Sequence, residues 1–173
     1  SPLPDDRRRT IGPPWPTRWA LHEEATMTAA TFRTGHEVLV RAPVHRVWRT
    51  LTEDVPSWWS TVSRHGAVTA VLEPYVGGRV LEEHASRPWG TVTGWCPTGH
   101  LEVRGRMDLP SGVTGLLEVE LEETAGCTRL HVLHQVAGPW ETARWVRSTD
   151  AWRAMAEQVG LLAEQSRRTL GPV

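Results

Sequence analysis

Three runs of apolar–polar alternation, each closed by turn residues and followed by one long helical pattern, fix most of what this chain can become. In His100 to Asp108, Leu101, Val103 and Met107 alternate with Glu102, Arg104, Arg106 and Asp108. Val113 to Glu122 sets Leu117, Val119 and Leu121 against Glu118, Glu120 and Glu122, and Thr128 to Val136 carries Leu130, Val132, His134 and Val136 on one face. Successive side chains of a strand point to opposite faces, so each run predicts a strand with one apolar and one wet side. Shorter strands precede them. Val68 to Glu73 runs into Gly77-Gly78, Arg79 to His84 into Pro88, and Gly90 to Trp95 into Pro97 to Gly99. Turn signals at hairpin spacing make the sheet mostly antiparallel.

The two ends of the pattern differ. Thr31 to Arg41 sets Phe32, Val38 and Val40 against His36 and Arg41 and is a strand stopped by Pro43, which then serves as a first-turn helix residue. Val44, Val47, Trp48 and Leu51 have helical spacing, and Asp54 with Pro56 starts a second short helix holding Trp58 and Trp59. At the other end Trp152, Met155, Ala156, Val159, Leu162 and Ala163 form an apolar helical stripe, with Arg167 and Arg168 in its last turn and Gly171-Pro172 beyond. A shorter helical piece from Pro139 to Arg147 precedes it, with Ser148 or Thr149 capping the longer helix. Residues 1–30, with five prolines, Arg7 to Arg9 and Pro13-Pro14-Trp15-Pro16, have no period and form an extended arm ahead of a domain at 31–173.

Composition narrows the function. The 173 residues are 39% apolar and 23% charged, which suits one globular core. Net charge is −1, so no overall field draws the chain to nucleic acid or to an anionic membrane. All nineteen basic residues are arginine, which excludes lysine Schiff-base chemistry. Cys96 and Cys127 make no CxxC pair, and no apolar run is long enough for a membrane helix, so the expectation is a reduced, cytoplasmic protein. Ten of the twelve aromatics are tryptophan, rings that suit a core, a ligand pocket or an interface.

Several short signatures fall in one order. Val40-Arg41-Ala42-Pro43-Val44-His45-Arg46-Val47-Trp48, Ser57-Trp58-Trp59, Gly77-Gly78-Arg79, Gly90-Thr91-Val92 with Cys96-Pro97 and Leu101, and Thr128-Arg129-Leu130 with His134 are similar to those of the START-like, SRPBCC superfamily. They resemble most its branch named after the activator of the heat-shock-protein-90 ATPase, whose close relatives include polyketide cyclases and dehydratases. The resemblance covers about 32 to 170 and departs at Cys96, where the family has proline. It implies an α+β, helix-grip fold: a curved antiparallel sheet of about seven strands wrapped around a long C-terminal helix, with two short helices between strands 1 and 2.

A sheet that curves around a helix without filling the gap leaves a cavity for a small apolar or aromatic molecule. His134 shares a face with Leu130 and Val132, which makes it either a pocket imidazole able to move a proton or a hydrogen-bonded structural histidine. Glu82 and His84 share a strand face with Val80, and if that face points inward they join His134 as catalytic candidates for aldol cyclisation and dehydration; otherwise they form a solvated face. Trp58, Trp59, Tyr75, Trp95, Trp145 and Trp152 are candidates to line or lid the pocket, or ordinary core. Arg106 and Asp108 could reach its mouth, although their alternation favours the outer face. His131 and His134, three apart on a strand, face opposite ways, so no metal is expected, nor any other cofactor. The rival reading is a chaperone-activator-like interaction module with exposed tryptophans and no catalysis. An arm docked on a twin would make a homodimer.

Overall fold

A computed structural model describes residues 30–63, 69–139 and 142–165. The expected arm at 1–30 lies outside these residues apart from Ala30, as do Arg167, Arg168 and Gly171-Pro172. Seven strands form one antiparallel sheet: β1 (Ala30–Val40), β2 (Ala70–Leu72), β3 (Arg79–Glu82), β4 (Gly90–Cys96), β5 (His100–Gly105), β6 (Thr114–Thr124) and β7 (Cys127–Gly138). Their order is β1-β7-β6-β5-β4-β3-β2, so β1 and β2 are the two edges. Helices α1 (Val44–Thr52) and α2 (Pro56–Trp59) carry the chain from one edge to the other, and α3 (Thr142–Gln165) packs against the sheet's inner face. The curved sheet gripping a terminal helix is the architecture implied by the strand and helix order.

The alternation sets the register. One inward row runs Thr34, His134, Leu117, Val103, Val92 across five strands. On α3 the stripe Trp152, Met155, Ala156, Val159 and Ala163 is buried against it. Each large apolar side chain so covered contributes about 1.5–3 kcal/mol relative to exposure. At the far corner the buried Thr128 hydroxyl donates to the carbonyl of Ala42 at 2.7 Å, tying β7 to the turn between β1 and α1.

Several expected boundaries move, each for a local reason. Pro43 is the N-cap of α1, not its first residue. Strand β3 ends at Glu82 because His84 adopts a left-handed φ of 66°, which breaks the pleat before that residue can follow Val80 and Glu82 inward. Strand β5 ends at Gly105 because Met107 and Asp108 are left-handed in succession, at 47° and 55°. His36 does not oppose Phe32 and Val38. It lies two residues from Val38 and four from Phe32, so the pleat puts all three on the inner face, and His36 is half-buried against α3. The expected break at Ser148 or Thr149 is absent: α3 runs through both, and the Thr149 hydroxyl donates back to the Trp145 carbonyl at 3.1 Å instead of capping a new helix.

Candidate functional site

Between the sheet, the segment after α2 and the first half of α3 lies a cavity of about 520 Å³. That is within the range of small-molecule sites. Its apolar wall is Val62, Trp89, Met107, Leu109, Ala151 and Trp152, and its polar groups come from Thr61, Ser63, His134, Arg147 and Ser148. Glycines make room for this wall. A Cβ on Gly115 would stand 2.5 Å from the Met107 sulfur and 3.0 Å from Leu109, and one on Gly105 would strike the Gly90 backbone at 2.6 Å. Trp89 is fixed by its main chain, donating to the Val80 carbonyl and accepting from Met107 N–H, both at 2.8 Å.

His134 is 1% exposed and belongs to the cavity floor. Its imidazole stacks on Trp145, with ring centres 5.5 Å apart and planes inclined by 18°, and meets Trp152 at 5.1 Å. Those tryptophans are seven residues apart on α3, about two turns, which puts both rings on the face turned to the sheet. The contacts extend into a chain of seven rings, Trp58, Trp59, Trp89, Trp152, His134, Trp145 and Phe32, with neighbouring centres 5.1–5.9 Å apart.

The other candidate residues lie elsewhere. Glu82 is buried, but its carboxylate accepts the Trp59 indole N–H at 2.6 Å and does not line the cavity. His84 is exposed beyond the strand end, 3.8 Å from Glu83, and is not brought to His134. Trp58 and Trp59 are core, with Trp58 donating to the Thr50 carbonyl at 3.1 Å. Tyr75 is exposed in the β2–β3 turn. Trp95 meets Trp48 edge-to-face, with ring centres 5.0 Å apart, beside a separate groove of about 390 Å³ under α1 and α2. Arg106 is exposed and Asp108 half-buried, and neither lines the cavity, although Met107 between them does. Of the proposed set, the cavity brings together His134 and Trp152, with Trp145 behind them.

Trp89, Met107, Leu109 and Arg147 are the residues that pattern reading missed. Trp89, next to Pro88, reads as turn, and Arg147 reads as the end of a short helix. On the outer face His100, Glu102 and Glu118 bring ligand-type atoms within 4.8 Å of one another. There Glu102 already accepts the Thr93 hydroxyl at 2.6 Å and Arg104 at 2.8 Å, and these bonds hold its carboxyl below the usual range. Among the described residues no helix is long and apolar enough to cross a membrane.

No protein-family model and no curated protein matches the sequence. Solved structures do match in shape. An uncharacterized protein from Rhizobium leguminosarum superposes with a TM-score of 0.64 at 17% identity, over 80% of this chain and 97% of that one. Ara h 8.0201 gives 0.61 at 7% identity, over 79% and 99%. A norcoclaurine synthase point mutant from Thalictrum, in complex with a transition-state analogue, gives 0.57 at 15% identity, over 81% and 98%. The fold is of the helix-grip type. At such identities the likeness concerns the fold alone, and function must come from the site.

Proposed function

We propose that this protein binds a small, flat, apolar or aromatic molecule in the cavity between sheet and α3, with His134 exchanging a proton with it in polyketide-cyclase-like or aromatase-like chemistry. The observation that carries the reading is a floor histidine held between two tryptophans, in a cavity walled by Trp89, Trp152, Met107 and Leu109. Indole faces suit planar ligands, and a packed imidazole is preorganised for transfer to or from one position. The norcoclaurine synthase of the same fold, described with a transition-state analogue, supports the use of such a scaffold for small-molecule chemistry. Glu82 and His84 have no part in this mechanism, because one is committed to Trp59 and the other faces solvent.

Two measurements test it. Titration with 2-tetralone, a bicyclic ketone, should change tryptophan emission saturably at one equivalent; an unchanged spectrum and melting temperature for this and other fused-ring ligands would end the binding reading. In D₂O the protein should then speed deuterium uptake at the carbon between ring and carbonyl, where a base removes one proton and the enolate takes back a deuteron. His134→Gln should lower that rate by roughly 10²–10⁴-fold. Equal rates in the two proteins would remove His134 from catalysis.

The second reading, a partner-binding module like the chaperone activator, draws support from exposed Val71, Tyr75 and Val76 around the β2–β3 turn. Against it, Trp48, Trp58, Trp59, Trp89 and Trp152 are all buried. Stimulation of a chaperone ATPase on mixing, combined with no ligand response, would favour it.

A further inference from the structure

Resting on the cavity reading above, we infer that the ligand is an aromatic carboxylate, its ring system lying among Trp89, Trp152 and His134 and its anionic end at Arg147. The cavity's charge is one-sided. Among the described residues its lining holds one guanidinium and no carboxylate. Arg147 is exposed where α3 meets solvent, whereas His134 is almost completely covered, so the cation marks the mouth and the imidazole the floor. The described residues supply Arg147 with no ion pair: Asp150, three positions on, lies 3.7 Å from Arg153, while Arg49, Arg79, Arg104 and Arg129 each hold a glutamate. Ser148 beside it also lines the cavity and adds a hydroxyl.

A guanidinium offers a planar fork of donors that matches a carboxylate in two parallel hydrogen bonds, and such charge-assisted bonds are stronger than neutral ones. An amine would meet Arg147 with no carboxylate to receive it. A neutral hydrocarbon would satisfy the tryptophans but leave the mouth's donors to water. The arrangement therefore sets orientation as well as class: rings inward against His134, anion outward at Arg147.

The test compares 2-naphthoate with 2-naphthamide, which share size and rings and differ in charge, by tryptophan emission at low ionic strength. Naphthoate should bind about tenfold more tightly, the low end for a charge-assisted contact at a partly solvated site. That ratio should shrink as salt is raised toward 1 M. In Arg147→Gln it should fall to about one, and in Arg147→Lys it should be intermediate, because lysine keeps the charge without the fork. Arg147 is exposed, so both variants should melt within a degree or two of wild type. Naphthamide bound as tightly as naphthoate, or a ratio untouched by Arg147→Gln, overturns the anion inference and leaves the cavity reading standing. Failure of both probes to bind overturns the cavity reading and this inference with it.

Discussion

The contact between Trp59 and Glu82 shows how a buried carboxylate can look catalytic and be structural. Glu82 is 7% exposed, and its oxygen accepts the Trp59 indole N–H at 2.6 Å. Trp59 in turn touches Trp58 and Trp89, and Trp89 forms cavity wall, so the bond sets the position of a ring one step from the site. Removing the acceptor strands a buried donor, which costs about 1–3 kcal/mol, whereas an amide oxygen in its place keeps the bond. Urea unfolding should therefore show Glu82→Ala destabilised by that amount and Glu82→Gln by less than about 1 kcal/mol. Equal losses in the two variants would mean that charge, and not acceptance of the indole proton, is what Glu82 supplies. Sequence made Glu82 a candidate because it shares a face with Val80; nothing in one dimension says that an indole twenty-three residues upstream has already claimed it.

Between elements, the junction of β1 and α3 contains a pH-sensitive group. His36 faces α3 from the inner side of β1, and its Nε2 is buried. Burial, and then the charge of Arg153, hold its pKa below the usual histidine value, against the Thr149 backbone, Asp150 and Glu157, which act the other way. Its cross-strand neighbour on β7, Val132, has no charge to add. A depressed folded-state pKa means that the unfolded chain takes up the proton first as pH falls. Stability is then fully present above about pH 6.5 and declines through the interval below it, down to the folded-state value. Urea midpoints at pH 7.5 and 5.5 should differ less in His36→Gln than in wild type; an identical difference would assign the acid sensitivity to other groups. The same junction shows where sequence was readable. Alternation in β5, β6 and β7 made the sheet legible, because one mainly wet and one dry face leaves a single register. Joints were less legible: left-handed turns at His84 and at Met107-Asp108 fall on residues with no glycine or asparagine to announce them. The false break at Ser148-Thr149 arose because a hydroxyl that caps a helix start can equally bond back to the carbonyl four residues earlier.

For the molecule as a whole, the cavity joins parts that are far apart in sequence: the segment after α2, Trp89 before β4, the turn after β5, the floor of β7 and the first half of α3. Only His134 and Trp152 among them were visible as candidates beforehand, since a wall assembled from five places leaves no periodic trace. A ligand seated there touches all five, so it should stabilise the folded chain as a unit and not one loop of it. At a free concentration one hundred times its dissociation constant, a ligand that binds only the native state adds about 2.7 kcal/mol. For a domain of this size each kcal/mol moves the melting midpoint by roughly 2–4 °C, so saturation should raise it by about 5–10 °C. Differential scanning calorimetry with 2-naphthoate at graded concentrations measures this directly, and the midpoint should climb with the logarithm of ligand concentration. A saturable change in tryptophan emission with no rise in the midpoint would mean that the unfolded chain binds the ligand as tightly as the folded one, which a cavity assembled from five distant segments cannot do, and would remove the cavity as the site.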